Sequence, residues 1–268
     1  PNEAPRLAAA GTFEDAFAEI VALAADPRVV AVGETGLDHF RTGPDGLAAQ
    51  EESFRRHIAL AKQLDKTLVI HDRDAHDDVV RVLLAEGAPD RVVFHCFSGG
   101  TDLAVHCAEQ GWFMSFAGTV TFKANEHLRE ALATAPEELV LVETDAPFLA
   151  PLPHRGRPNA SYLIPVTLRA MAQVREVEVE ALAAAVTANT ERACAKRCVR
   201  GKPRRRAVAP RRPSWPLVFH HFARSSSPKR ATTRRSFSSR SRSSAAPVIG
   251  RLPWWCRRHG RRPRRLGP

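Results

Sequence analysis

Five short apolar runs alternate along the chain with segments of helical periodicity, and this alternation constrains the fold more than any other feature of the sequence. The runs predict strands at residues 29–32, 67–70, 91–94, 112–116 and 139–142. The other segments predict helices at residues 12–25, 47–64, 75–86, 102–110, 124–134, 160–174 and 177–188. Strands that are apolar throughout and separated by helices are typical of a parallel sheet covered by helices.

Four of the five predicted strands end in a motif with one side chain that can bind a metal ion. The motifs are Gly-Glu-Thr-Gly-Leu-Asp, Ile-His-Asp-Arg, Phe-His-Cys-Phe-Ser-Gly and Glu-Thr-Asp-Ala-Pro, and the side chains are Glu34, His71, His95 and Asp145. A doubly wound sheet gathers its ligands at one crossover point, whereas the strands of an α/β barrel all end at one mouth. The distribution therefore favours a ring of strands.

The number of strands leaves two alternatives open. The chain is either an open five-stranded sheet or a barrel whose sequence begins partway along, and the absence of an initiator Met before Pro1 favours the second. We predict an α/β fold of the TIM-type (β/α) barrel, incomplete, with about five of its eight strands present.

Two imidazoles and two carboxylates at one mouth match the ligands that zinc, manganese and similar ions accept. Each residue alone has a plain structural explanation, such as a helix cap, a core histidine or an Asx turn, so the argument depends on the set. A bound ion would lower the pKa of its water and polarise a substrate oxygen. We therefore predict a hydrolase, with Asp145 able both to bind the metal and to act as the catalytic residue that takes the proton from water.

In this order and spacing the four motifs resemble the TatD family of metal-dependent deoxyribonucleases, which belong to the amidohydrolase-like barrels. The resemblance runs from Pro1 to about Arg192 and includes Arg155-Gly-Arg-Pro-Asn. It implies a TIM-type barrel, one or two divalent ions (magnesium, manganese or zinc) and hydrolysis of phosphodiester bonds, with DNA as the substrate. It also implies four metal ligands: Glu34, His71, His95 and Asp145.

The chain departs from the family pattern at its beginning. Family members begin with a strand that carries a His-x-His pair, whereas this chain has no His before His39 and no His-x-His anywhere. We expect that the first three strands of the barrel are missing and that the sequence is truncated at its N-terminus. If the polypeptide is really this short, we expect it to be inactive; if the sequence is part of a longer chain, we expect the intact protein to be a nuclease.

Three basic side chains near the motifs are candidates for substrate binding. Arg73 follows His71 by two residues, and a guanidinium pairs well with phosphate. His39 follows the Glu34 motif, and Arg155 lies in the segment after the last strand. The alternatives are a solvated loop for His39 and a role for Arg155 in ordering its own loop.

The net charge of +11 averages two unlike segments. Residues 1–195 contain 17 basic and 29 acidic residues, whereas residues 196–268 contain 23 Lys or Arg and no Asp or Glu. We predict a partial hydrolase barrel at 1–195 and an Arg/Pro/Ser-rich disordered tail at 196–268. The tail could bind nucleic acid through its charge, or it could be an artefact of an out-of-frame reading of GC-rich coding DNA.

The remaining expectations concern location, partners and alternatives. The five cysteines are scattered, so we expect reduced thiols and a cytoplasmic protein. No run of about 18 apolar residues occurs, so we expect no membrane contact. We also expect no obligate protein partner. Two other functions stay open. One is non-catalytic binding of nucleic acid by the tail, and the other is metal-dependent hydrolysis of a small ester, amide or aminoacyl substrate.

Overall fold

A computed structural model describes residues 1–194 of the chain, and in this part the predicted alternation is confirmed. The strands are β1 (Ala31–Asp38), β2 (Thr67–Arg73), β3 (Val92–Phe94), β4 (Phe113–Phe116) and β5 (Val140–Val142). The tail predicted at 196–268 lies outside the described residues.

Helices precede and connect the strands. They are α1 (Ala4–Ala9), α2 (Phe13–Ala24), α3 (Pro44–Gln63), α4 (His76–Glu86), α5 (Thr101–Gln110), α6 (Glu126–Thr134), α7 (Ile164–Arg175) and α8 (Val179–Cys194). Short 3-10 turns lie at Gly118–Thr121, Glu137–Leu139 and Ser161–Leu163. The short α1 was not predicted, because six residues show no clear helical period. None of the helices in residues 1–194 combines the length and the apolar character that crossing a membrane requires.

All neighbouring strands are parallel, and their order in the sheet is the order of the sequence, β1-β2-β3-β4-β5. Each crossover therefore moves one strand further in the same direction. Because such crossovers are right-handed, the helices that make them lie on one face of the sheet. A doubly wound sheet reverses direction at a switch point, so that alternative is wrong and the sheet has the topology of a barrel wall.

The two faces of the sheet carry different side chains because successive residues of a strand alternate in direction. The face towards the helices contributes Leu68, Ile70, Phe94 and Met114 to the main hydrophobic core. The opposite face carries a second, smaller cluster that includes Ala193 of α8. We call its strand residues the apolar layer: Val69, Val93, Phe113 and Leu141.

Two positions further along each strand, the same face becomes polar. We call these residues the polar layer: His71, His95, Ser115 and Glu143. His95 and Glu143 lie just after β3 and β5, but their backbone N–H groups still donate to Ile70 and Phe116 of the neighbouring strands, at 2.9 and 3.0 Å. The polar layer is therefore a direct continuation of the sheet.

Two glycines allow β1 to continue past the point where the sequence predicted its end. Gly33 and Gly36 have φ of +153° and +132°, and a Cβ on Gly33 would lie 2.5 Å from the Val69 carbonyl oxygen. A Cβ on Gly36 would meet the carbonyl oxygen of His71. Only glycine permits this close approach to β2, and the register shifts between Val32 and Thr35. The expectation that the metal-binding residues end their strands is therefore wrong for Glu34 and His71, which lie inside β1 and β2.

Candidate metal centre

Three of the four predicted metal ligands meet at the polar layer. Ligand atoms of Glu34, His71 and His95 all lie within 4.8 Å of one another. One carboxylate oxygen of Glu34 is 3.2 Å from His71 Nδ1, and the other is 3.1 Å from His95 Nε2. The side chains are partly exposed, which leaves the centre accessible from the mouth.

Each imidazole places its other ring nitrogen against a second carboxylate. His71 Nε2 lies 3.1 Å from Asp38 Oδ2, and His95 Nδ1 lies 2.9 Å from Glu143 Oε1. Metal-binding histidines commonly have such a partner, because it fixes the orientation and the tautomer of the ring. The five side chains thus form a continuous chain in the order Asp38, His71, Glu34, His95, Glu143.

Asp38, at one end of this chain, is fully buried and fixed by its neighbours. Its carboxylate accepts hydrogen bonds from Asn2 Nδ2 at 3.2 Å and from the Arg41 backbone N–H at 2.8 Å. Its own N–H donates to Gln50 Oε1 at 3.0 Å. Sequence reasoning missed this role, because the position of Asp38 depends on the irregular register of β1.

Glu143, at the other end, is nearly buried and is fixed equally well. One oxygen accepts the Cys96 backbone N–H and the other accepts the Ser115 hydroxyl, both at 2.7 Å. Sequence reasoning left the role of Glu143 open. A signal was available, since Glu143 follows Leu141 by two residues and so shares its face.

The charges of the centre support one another. Burial alone would raise the pKa of the Glu34 carboxyl, but hydrogen bonds with His71 and His95 hold that pKa far below its usual range. Burial would lower the pKa of His95, yet the carboxylates of Glu143 and Glu34 raise it well above its usual value. Negative groups outnumber positive ones, and the set of imidazole nitrogens and carboxylate oxygens is one that divalent ions accept. The residues present therefore fit a divalent metal ion.

Asp145, the fourth predicted ligand, lies in the loop after β5 and is not part of the group within 4.8 Å. It adopts a left-handed conformation with φ of 55°. Asn159 orders this loop by donating to the carbonyl oxygens of Thr144 and Phe148, at 2.6 and 2.8 Å. Desolvation and the charges of Glu143, Asp145 and Glu34 all raise the pKa of the Cys96 thiol. The Asp145 carboxylate thus raises the pKa of Cys96, the residue after His95. Its roles as metal ligand and as base stay predictions.

The three predicted substrate-binding residues all lie beyond the polar layer or in the loops that follow it. Arg73 ends β2, and its guanidinium carbon is 3.8 Å from the ring centroid of Phe40. His39 Nε2 is 3.7 Å from an Asp78 carboxylate oxygen. Arg155 lies over the ring of Phe122, with 4.5 Å between the guanidinium carbon and the centroid. Their contact with a substrate stays a prediction.

Comparisons with known proteins agree with this geometry. A sequence profile described as "TatD related DNase" matches residues 1–195. The uncharacterized metal-dependent hydrolase TatD of Mycobacterium tuberculosis is 50% identical over 182 residues, which cover 66% of this chain and 69% of that protein. The uncharacterized metal-dependent hydrolase YcfH of Escherichia coli is 42% identical over 171 residues, which cover 63% of this chain and 64% of that protein.

A solved structure supports the same assignment. The TatD homologue YJJV of Escherichia coli superimposes with a TM-score of 0.64 at 28% identity, over 68% of this chain and 70% of that one. The chain thus spans about two thirds of the length of the proteins that it matches. The match of profile, sequence and fold shows that the chain belongs to the TatD-related DNase family of metal-dependent hydrolases.

Proposed function

We propose that the protein is a metal-dependent deoxyribonuclease that hydrolyses phosphodiester bonds in DNA. The observation that carries this proposal is the convergence of donor atoms from Glu34, His71 and His95 within 4.8 Å. The description of the matching family supports the choice of DNA as the substrate. The negative charge of the centre supports the need for a cation, because a bare carboxylate cluster would repel a phosphodiester.

Glu34, His71 and His95 would hold a divalent ion such as magnesium, manganese or zinc, with Asp145 as the proposed fourth ligand. Such an ion, when bound, lowers the pKa of a water molecule and polarises a phosphoryl oxygen. Asp38 and Glu143 keep the two imidazoles in place through their outer ring nitrogens. The polar layer therefore supplies a preorganised set of donors.

Asp145 is the proposed general base. The oxygen of water forms a bond to phosphorus, its proton passes to the Asp145 carboxylate, and the phosphorus–oxygen ester bond breaks as the leaving oxygen takes a proton from solvent. Asn159 fixes the backbone on both sides of Asp145, which orients the carboxylate. Arg73, His39 and Arg155 are the proposed contacts for the phosphates.

The test is cleavage of a labelled oligodeoxynucleotide by the intact chain with added magnesium, manganese or zinc. We expect His95→Gln to lower the metal-stimulated rate at least about a hundredfold, because it removes one donor and its link to Glu143. Asp145→Asn should lower the rate while metal binding persists. His127→Gln is the matched control, because His127 is exposed on α6.

A substrate panel separates this proposal from the alternative of a small substrate. Cleavage of a lactone or an aminoacyl ester but not of DNA would overturn the choice of DNA. Metal-stimulated DNA cleavage that persists in His95→Gln would overturn the assignment of the site.

A further inference from the structure

We propose that Phe40 and Arg73 form a stacking platform at the mouth of the metal centre, which binds the unpaired base beside the scissile phosphate of a DNA strand. The inference rests on the proposed nuclease function and narrows its substrate to single strands and unpaired ends. It assigns a specificity-determining role to Phe40, which the sequence analysis did not consider.

The position of the pair relative to the metal centre comes from strand geometry. Arg73 follows His71 by two residues in β2, so its side chain leaves the strand on the same face, about 7 Å further towards the mouth. Phe40 follows β1 by two residues, and the His39 N–H donates to the Arg73 carbonyl oxygen at 3.0 Å. Above the apolar and polar layers, the Phe40–Arg73 pair is thus a third layer.

The pair offers a free surface to a ligand. The Phe40 side chain is 64% exposed, although the Arg73 guanidinium carbon lies only 3.8 Å from its ring centroid. Among residues 1–194, no carboxylate forms an ion pair with Arg73. Two basic residues, His39 and Arg41, flank Phe40 in the sequence, and His39 Nε2 lies 3.7 Å from an Asp78 carboxylate oxygen.

A similar contact between an arginine and two phenylalanines lies among the helices, but its guanidinium already has an ion-pair partner. Arg56 of α3 lies over the rings of Phe13 and Phe17, at 5.2 and 4.4 Å, but it also forms an ion pair with Glu14 at 2.6 Å. That guanidinium is neutralised by a partner within the chain. The Phe40–Arg73 pair instead combines a planar apolar face with a guanidinium that has no ion-pair partner among residues 1–194.

The aromatic ring and the guanidinium together suit the base and the phosphate of one nucleotide. Every nucleobase has a flat π-face that stacks on aromatic side chains or on guanidinium planes, and a guanidinium also pairs with the adjoining phosphate. Bases in a duplex are already stacked on one another, so only an unpaired base can reach the platform. The platform therefore favours a single strand over a blunt duplex.

The experiment compares Phe40→Ala and Phe40→Trp with the intact wild-type chain, and Phe13→Ala is the matched control from the helical side. Three labelled DNA probes are used: oligothymidylate, a strand of equal length with abasic tetrahydrofuran residues, and a blunt duplex. Binding is measured by fluorescence anisotropy in EDTA at raised salt, which weakens purely electrostatic contacts. Cleavage is measured as kcat/KM with added manganese.

We expect Phe40→Ala to weaken binding and cleavage of oligothymidylate by about fivefold to a hundredfold. The abasic strand and the duplex should change by less than about twofold, Phe40→Trp should retain wild-type values, and Phe13→Ala should match the wild type on every probe. An equal loss on the thymidine and abasic strands would overturn the platform, as would no loss on either strand or a loss in Phe13→Ala as large as that in Phe40→Ala.

The two proposals can fail separately. If the wild-type chain cleaves none of the probes, the nuclease proposal fails, while the ratio of thymidine to abasic binding in EDTA still decides whether Phe40 stacks a base. If the wild type cleaves both strands and Phe40→Ala does so equally well, the nuclease proposal stands and the platform is wrong.

Discussion

The apolar layer and the polar layer lie on the same face of the same four strands, separated by two residues, yet they contribute in different ways. The apolar layer packs against Ala193 of α8 and removes hydrocarbon from water. The imidazoles of the polar layer instead pair with carboxylates, His71 with Glu34 and His95 with both Glu34 and Glu143, so each buried charge depends on its neighbour. One strand can therefore stabilise the sheet with one side chain and supply a metal ligand with the next side chain on the same face.

This difference predicts a division between effects on stability and effects on metal binding. Substitutions in the apolar layer should lower the free energy of unfolding and leave the donor atoms in place. Substitutions in the polar layer should weaken metal binding more than they weaken the fold. Four substitutions test this division, and their expected effects decrease from the apolar layer to His57.

The largest expected effect is on stability, in the apolar layer. Phe113 is 7% exposed, and Phe113→Ala should lower the free energy of unfolding by about 3–5 kcal/mol because it leaves a cavity. Phe148 is 57% exposed, so Phe148→Ala should cost less than about 0.5 kcal/mol and serves as the control. Urea unfolding of both variants checks this. A Phe113→Ala variant of wild-type stability would contradict the role of the apolar layer.

The next effect concerns metal affinity, in the polar layer. Glu143→Gln keeps the size of the side chain but loses the charge that faces His95 Nδ1. We expect metal affinity to fall by about tenfold to a hundredfold. Competition with a chelating dye measures the affinity for zinc, and Glu138→Gln on an exposed 3-10 turn is the control. Unchanged affinity in Glu143→Gln would show that the carboxylate does not position His95.

A smaller effect is expected from Ser115→Ala, which removes the hydroxyl that donates to Glu143 at 2.7 Å. Because Glu143 keeps its charge and still accepts the Cys96 N–H, we expect metal affinity to fall only about fivefold. In a double variant with Glu143→Gln the two losses should not add, because both act through the same carboxylate. Full additivity in the chelator assay would contradict this linkage.

The smallest effect is on the pH dependence of stability. It concerns His57, whose pKa moves in the opposite direction from that of His95. Burial lowers the pKa of His57 in α3, whose Nδ1 lies 2.6 Å from the Ser53 carbonyl oxygen, whereas carboxylates raise that of His95. The folded protein therefore favours neutral His57, and this contribution to stability is complete above about pH 6.5 and is lost as the pH falls below it.

His57→Gln should remove this pH dependence. Urea unfolding at about pH 7.5 and 5.5 measures the difference between the variant and the wild type. An identical loss of stability on acidification in both proteins would show that His57 does not titrate in this range.

Much of the fold and part of the centre followed from the sequence. The prediction that His71 and His95 share a mouth with Glu34 needed only motifs that follow parallel strands, because such strands end at one mouth. The partnership of Asp38 with His71 could not be predicted, because it depends on the irregular register that Gly33 and Gly36 permit. The contact of Arg73 with Phe40 was equally hidden, since it joins two strand ends that are distant in sequence.

The central claim is that Glu34, His71 and His95 together hold a divalent ion. Equilibrium dialysis of the intact chain against zinc or manganese, followed by elemental analysis, tests this most directly, with a His71→Ala/His95→Ala double variant beside the wild type and His127→Ala as the control. We predict that the wild type and His127→Ala retain at least one ion per chain and that the double variant retains none at the same free concentration. Equal metal content in all three proteins would contradict it.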